Sequence, residues 1–519
     1  MSTLGSYAGP FVNDAARDLA DSLVVTVNST IALASNMYSA IPGSRILALY
    51  VKSSYQNDPY RTLLEIGLVI FLIWYFGGKK YKPGKQHEKI ILTEKEIQEL
   101  IDEWEPEPLV VPPTEAQRLE LEKIPIISGP SGPKVKLADG KEKLNLASFN
   151  FLGAMNQEST KEKAIAAVRK YGVGTCGPCG FYGTIDVHID LEKEVSRFIG
   201  VEDAIVYSQG FSTIGSVIPA FSKRGDIIVA DSGVNFAVQK GIQVSRSVVK
   251  YFKHNDMEDL ERVLKQVQQE SLKKKKPLTR QFIVVEGLYV NHGDICPLPK
   301  LIELRNKYKY RLIVEESMSL GVLGPRGAGV CDHYGISPKD VDMITASMAN
   351  TLGAGGGFCC GSKEIVEHQR LSGQGYVFSA SLPALLAVSA MEGIKHVEAH
   401  PELVTRLQEN SVLMRQTIRK GVQRVECSGP DESPVLHVRL SDLLDQPVDE
   451  QEKALQEVVE EAMRNGVLIT RAKYVHGQEL NVPSPSIRIA VSASHSRKEV
   501  EKSGSVVAAA IKKVLKSRR

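Results

Sequence analysis

The chain has 519 residues of ordinary globular composition, enough for about two to four domains at roughly 100–200 residues each. Its 64 basic and 61 acidic residues leave a net charge of +3, which excludes the one-sided charge of a nucleic-acid binder. Seven irregularly spaced cysteines exclude a secreted disulfide framework and point the main body to a reducing compartment.

Residues 17 to 50 are moderately apolar, but Asp18, Asp21 and Pro42 argue against a membrane span there. From Leu63 to Phe76 the sequence reads LLEIGLVIFLIWYF, followed by Lys79, Lys80, Lys82 and Lys85. A span needs about 20 apolar residues, with a usable range of about 17–25. The stretch from Tyr60 to Gly78 reaches that range if Arg61 snorkels to the headgroups, with Trp74 and Tyr75 as interfacial aromatics. The four lysines fit the positive-inside rule better than a buried core helix would explain them. The expectation is a single-pass endoplasmic reticulum protein: residues 1–61 luminal or interfacial, 62–78 transmembrane, and the main body cytosolic. No basic region precedes an early apolar run, so a cleaved signal peptide is not expected. The Asn28-Ser-Thr30 sequon would be luminal.

Residues 79–144 read as an amphipathic helix followed by a proline-rich linker. Thr93-Glu-Lys-Glu96 forms a capping box and Leu92 with Ile97 a hydrophobic staple. Ile97, Leu100, Ile101 and Trp104 then share one helical face, and Pro106 and Pro108 end the helix. That face can pack on the chain's own body or lie on a membrane.

Beyond residue 145, short β-branched runs alternate with helical stretches: 204–208, 226–232, 282–288, 311–317 and 342–348. Runs with so little polar alternation predict buried parallel strands. An α/β domain is expected over 145–395. The pattern then changes to long charged helices with strand-like segments at 434–440 and 486–492, predicting a smaller α+β domain over 396–519. Lys273 to Lys276 reads as a solvated loop.

Several short motifs occur in one order: YGVGTCGPCGFYGTIDVHIDLE (171–192), VYSQGFSTI, DIIVADSGVNFAVQKG, FKHND (252–256), VVEGLYVNHGDICPL (284–298), IVEESMSLGVLG (313–324), TASMANTLGAGGGF (345–358) and GYVFSASLP (375–383). This series resembles the α-oxoamine synthase family of fold-type-I pyridoxal-phosphate enzymes over roughly 145–500. Within that family it is similar to the lysine-less long-chain-base subunits of eukaryotic serine palmitoyltransferase, a likeness that extends to the membrane segment and to DEWEPEPLVVPP. The resemblance implies an aminotransferase-like fold with a parallel-rich central sheet. It also implies a role in condensing L-serine with palmitoyl-CoA to 3-ketosphinganine.

In active relatives a lysine holds the cofactor, an aspartate pairs with the pyridine nitrogen, and a histidine stacks on the ring. Carried onto this chain, those positions hold Asn350, Glu315 and Phe236, and Met318 stands where a further histidine is usual. Only an amine can hold an aldehyde cofactor covalently, so the resemblance implies no catalytic residue here. Pyridoxal 5'-phosphate would be held by a lysine-bearing homologous partner in a heterodimer, with small regulatory membrane subunits beside it. Ser379 and Ser381 would reach the partner's cofactor phosphate or cap the following turn, and Cys176 would lie at the interface near the shared site. Alternative readings are an autonomous pyridoxal-phosphate acyltransferase using another lysine, or a pure scaffold.

Cys176-Gly-Pro-Cys179 spells a redox motif but sits in a glycine-rich turn with no preceding strand, which speaks against thiolate chemistry. The Cys179 position is often arginine in relatives. His188 reads either as a structural hydrogen-bonder near the dimer interface or as an exposed helix residue, and Arg488 as a substrate-carboxylate residue or an edge arginine. Gly353 to Gly357 resembles a phosphate cradle, but a lone glycine run is weak evidence for one and close packing is the safer reading. Cys296, Cys331, Cys359, Cys360 and Cys427 lack metal-ligand spacing with histidines and read as core thiols, so no metal site is expected.

Overall fold

The computed structural model describes residues 42–77, 92–106, 109–110, 112–273 and 279–518. The Asn28 sequon, Lys79, Lys80, Lys82 and Lys85, Pro108 and Lys274 to Lys276 lie outside the described residues. The chain divides into two units, Met1–Thr114 and Glu115–Arg519.

In the first unit, helix Ser44–Asn57 gives way to helix Pro59–Gly77 at Asp58, whose extended backbone is the conformation that a following proline imposes. Thr62 Oγ1 bridges the break, donating to Ser54 Oγ at 3.0 Å. The second helix starts at Pro59, ahead of the expected residue 62. By length and composition it can cross a membrane, with a mean hydropathy of 1.4 over its most apolar window. Its charged pair is internally matched, Arg61 Nε to Glu65 Oε1 at 2.9 Å. Helix Glu94–Glu103 carries the expected capping box: Thr93 N donates to Glu96 Oε2 at 2.8 Å and Glu96 N to Thr93 Oγ1 at 3.4 Å.

The second unit is built on a seven-stranded sheet. Its strands are β1 (Asp203–Tyr207), β2 (Ile227–Asp231), β3 (Val248–Phe252), β4 (Gln281–Glu286), β5 (Arg311–Glu315), β6 (Met343–Ser347) and β7 (Gly357–Gly361), in the order β1-β7-β6-β5-β4-β2-β3. The pairs from β6 through β5, β4 and β2 to β3 are parallel, while β7 runs antiparallel between β1 and β6. Ile228, Val229, Ile283, Val284 and Val314 are fully buried, because helices cover both faces of a parallel sheet and leave no polar alternation. A four-stranded antiparallel sheet, including Val435–Leu440 and Ile487–Ala490, forms the smaller C-terminal layer with helices Glu402–Gly421, Val448–Arg464 and Arg497–Ser517.

By contacts between residues the second unit begins at Glu115. Helix Glu115–Glu122 belongs to the body, held where Arg471 Nη2 meets Glu120 Oε2 at 3.1 Å. Strands Lys134–Lys136 and Glu142–Asn145 pair with each other, and the latter also pairs in parallel with Val467–Leu468. Their lysine-rich sequences hid them: three or four residues each, with alternate or one-sided burial, give no periodic signal.

Candidate functional site

Parallel strands bring their C-terminal ends to one edge, where open α/β sheets place their ligands. Here that edge carries Asp231, Glu286, Glu315 and Ser347, the last residues of β2, β4, β5 and β6. Glu286 and Glu315 face each other in register. Glu286 is fully buried and accepts from Asn235 N at 2.5 Å and Val290 N at 3.2 Å. Glu315 Oε1 accepts from the backbone N of Ser317 at 3.1 Å and from its hydroxyl, while Glu315 Oε2 is buried with no hydrogen-bond partner. Next to it, Glu316 accepts from Val330 N at 3.1 Å and from the Ser319 hydroxyl.

Among the described residues none of these three carboxyls has an ion-pair partner, so burial disfavours their charged forms. It pushes Glu315 and Glu316 up to about 7, and pushes Glu286, which also faces Glu315, well above the usual carboxylate range.

Asn350 lies beyond β6, with its side chain turned onto the segment after β5. Its Nδ2 donates to Ser317 O at 2.9 Å and touches Met318 Sδ at 3.6 Å. Ser317 Oγ also accepts from Ser347 N at 2.7 Å. One hydroxyl therefore ties Glu315 to the turn that carries Asn350. Phe236 opens helix Phe236–Ser245, capped by Asn235, whose backbone N donates to Glu286. Its ring lies 6.0 Å from that of Phe211. Asn350, Met318 and Glu315 thus form one contact group, and Phe236 borders it through Asn235 and Glu286.

Ser379 and Ser381 take different places. Ser379 Oγ is 3.2 Å from Ser208 Oγ, just beyond β1. Ser381 is buried and locked to the glycine-rich loop, with its hydroxyl 2.7 Å from Thr175 Oγ1 and its N donating to Gly177 O at 2.9 Å. Cys176 is exposed on that loop with φ of 55°, a left-handed conformation uncommon for a side-chain-bearing residue. Cys179 is half-buried, which raises its thiol pKa, and it opens a single wide turn to Gly183. No strand leads into Cys176. His188 is buried: its Nδ1 accepts from Ile185 N at 3.2 Å and its Nε2 lies 2.5 Å from Leu382 O, so it pins the segment after Ser381. Arg488 stacks on Phe149 at 4.6 Å, and at Gly353, with φ of 66°, a β-carbon would stand 3.0 Å from the Met155 backbone.

Sequence reasoning missed Glu286 and Ser317, and it missed a half-buried cluster around Asp231 on the same edge. His254 Nδ1 lies 2.8 Å from Asp231 Oδ1 and its Nε2 lies 2.9 Å from Asp294 Oδ2. Burial lowers the His254 pKa, but the two carboxylates outweigh it and lift the value to about 10. His292 stacks on that ring at 3.9 Å, and burial together with the neighbouring charge pushes it down to about 4. The motif FKHND contains His254, but its partners are distant in sequence. Among the described residues no group of three or more His, Cys, Asp or Glu could hold a metal ion.

The buried carboxyls set a pH dependence. Because the folded values of Glu315 and Glu316 exceed those of the unfolded chain, the fold loses stability as pH rises from about 4.5 to about 7 and is flat above that for these two groups. Glu315→Gln keeps an acceptor for Ser317 and removes one of these two contributions. At pH 8 we expect the variant to exceed the parent by about 1–3 kcal/mol in denaturant unfolding, converging toward pH 5. Equal curves at both pH values would show that Glu315 is ionised at no cost.

The family profile for aminotransferase class I and II matches residues 141–504. Long chain base biosynthesis protein 1b of Oryza sativa subsp. japonica is 44% identical over 437 residues, covering 84% of this chain and 88% of the relative. Serine palmitoyltransferase 1 of Dictyostelium discoideum is 43% identical over 455 residues, covering 87% and 93%. Among solved structures, a serine palmitoyltransferase variant from S. paucimobilis with bound PLP and myriocin superposes with a TM-score of 0.68 at 22% identity, covering 77% of this chain and 96% of that one. At that identity the likeness is one of fold, and the fold is that of PLP-dependent enzymes.

The residues present do not fit the cofactor. Glu315 Oε2 is a free buried acceptor of the kind a pyridine nitrogen would meet. Asn350, however, supplies no amine, and its amide is already spent on Ser317 and Met318.

Proposed function

The chain belongs to the class I and II aminotransferase family and, within it, to the serine palmitoyltransferase 1 proteins, and from that premise we propose that it is a non-catalytic, membrane-anchoring subunit of serine palmitoyltransferase. The enzyme condenses L-serine with palmitoyl-CoA to 3-ketosphinganine in long-chain-base synthesis. In this reading a homologous lysine-bearing subunit holds the pyridoxal phosphate and carries the reaction. The present chain completes the shared site, stabilises that partner and retains it at the endoplasmic reticulum membrane through the single span Pro59–Gly77, with small regulatory membrane subunits alongside.

The observation that carries this reading is the state of Asn350: a carboxamide bonded to Ser317 O and packed against Met318, where catalysis needs an amine. What the chain offers the partner is a surface. Ser379 is the half-exposed hydroxyl suited to reach a neighbour's phosphate, while Ser381 positions the Cys176 loop from behind.

Asn350→Lys tests the reading directly. The new amine would enter beside Ser317 and Met318, with Glu315, Phe236 and Met318 still in place of the aspartate and histidines of active relatives. We expect the purified, partner-free variant to show no absorbance from covalently bound aldehyde and no palmitoyl-CoA-dependent condensation of labelled serine. Turnover comparable to that of the assembled enzyme would mean that the chain is a nearly complete catalyst.

A further inference from the structure

Helix Glu94–Glu103 presents an apolar face made of Leu92, Ile97, Leu100, Ile101 and Trp104, which lines a shallow concavity of about 410 Å³. All five side chains are exposed, Trp104 to 71%. A ten-residue helix is marginal by itself, yet this one has its own supports. The Thr93–Glu96 capping box closes its start, and Gln98 Nε2 donates to Asp102 Oδ1 at 2.8 Å along its polar side. A helix so equipped holds its shape before anything covers its apolar face.

We propose that this helix lies in the headgroup layer of a lipid bilayer, its apolar face turned toward the acyl chains. The inference rests on the anchoring reading of Pro59–Gly77 and extends it. Only residues 78 to 93 separate the two helices, and a chain of that length spans at most about 3.3–3.6 Å per residue, so an anchored span keeps the helix within some 60 Å of the membrane. Tethering converts a weak surface affinity into standing occupancy, because the bilayer is always present at high effective concentration. Trp104 follows the last turn, at the edge of the apolar face, as an interfacial aromatic does.

The rest of the helix surface carries Glu94, Glu96, Glu99, Asp102 and Glu103 against Lys95. Attraction to anionic lipid therefore cannot hold the helix down. Burial of the apolar face must do so, and neutral lipid suffices.

The chain's two tryptophans, Trp74 and Trp104, allow the helix and the span to be read separately. Full-length Trp74→Phe, reconstituted into phosphatidylcholine vesicles, leaves Trp104 as the reporter, and Trp104→Phe leaves Trp74. Lipids brominated on the acyl chain near the headgroup should quench Trp104 strongly, and lipids brominated near the bilayer centre should quench it weakly, because an interfacial helix sits about 5–10 Å into the boundary layer. Adding Leu100→Glu and Ile101→Glu should cut the Trp104 quenching by about fivefold or more, since two charges on the buried face oppose insertion. If Trp74 is quenched and Trp104 is not, the helix is off the membrane, so the inference fails while the anchor stands. Blue-shifted but unquenched Trp104 emission would assign the face to a protein partner and also overturn it. If neither tryptophan is quenched, the anchoring reading itself falls and takes this inference with it.

Discussion

Replacing His254 with leucine should lower the stability of the chain by about 3–5 kcal/mol, the usual cost of leaving one member of a buried charge pair alone. Asp231 has no solvent exposure, and its carboxylate is shared among Gly233 N at 2.7 Å, Asn255 N at 2.9 Å and the His254 ring. The two backbone donors cannot neutralise its charge. Asp294 is about a third exposed and would recover water instead, so Asp294→Asn should cost much less.

The sign of the pH effect follows from the raised folded value of His254. Its contribution is fully present below about pH 6.5, where the unfolded histidine is protonated too, and is lost as pH rises through about 10. Parallel denaturant titrations at pH 6.5 and pH 9.5 should show the parent weakening between the two and the leucine variant lacking that fall. A variant as stable as the parent at pH 6.5 would mean that Asp231 is solvated or neutral.

Gly183→Ala should cost the assembled enzyme about tenfold or more in turnover while Gly180→Ala, in the same loop, leaves it unchanged. A β-carbon at Gly183 would stand 2.0 Å from Gly177 O and 2.7 Å from the carbonyl carbon of Pro178, whereas at Gly180 nothing lies within 4 Å. The obstructing atoms are backbone, so no rotamer change relieves them, and overpacking of this kind costs about 1–3 kcal/mol and occasionally more. The loop must open, which breaks the bonds from Gly183 N to Pro178 O at 3.0 Å and from Thr175 Oγ1 to Gly183 O at 3.1 Å and frees Ser381 from Thr175. Because Cys176 rides on that loop, the loss of turnover in assays with the partner should exceed what a fall of a few degrees in the melting of the chain alone would explain. Equal activity of the alanine variants would remove the loop from the shared site.

The large sheet was mostly legible in the sequence, because strands buried on both faces read as unbroken apolar runs: β1, β2, β4, β5 and β6 all fall within a residue or two of the expected segments. β3 escaped notice since VVKYF is an edge strand only partly buried and carries Lys250. β7 was hidden by composition, GFCCG reading as the end of a glycine run although all five residues are buried. At the site, Asn350, Glu315 and Met318 were visible as departures from an ordered set of motifs. Glu286, Ser317 and the Asp231–His254–Asp294 cluster were not, because their roles come from register and from turns that join separate strands. The loop at Cys176 was read as glycine-rich, but its fastening to Ser381, like that of His188 to Leu382, joins residues some two hundred positions apart.

The strand pairings also order events during synthesis. β1 touches the large sheet through β7 alone, and Glu142–Asn145 waits for Val467–Leu468 before its second edge is paired. At about 5–20 residues per second, a ribosome takes tens of seconds to travel from Asn145 to Val467. Throughout that interval the nascent body exposes unpaired strand edges. Slow codons or chaperone shortage before residue 468 should therefore reduce the yield of soluble body more than the same disturbance placed after it, since by then every strand of the three sheets except Thr470–Arg471 and Ile487–Ala490 has been synthesised.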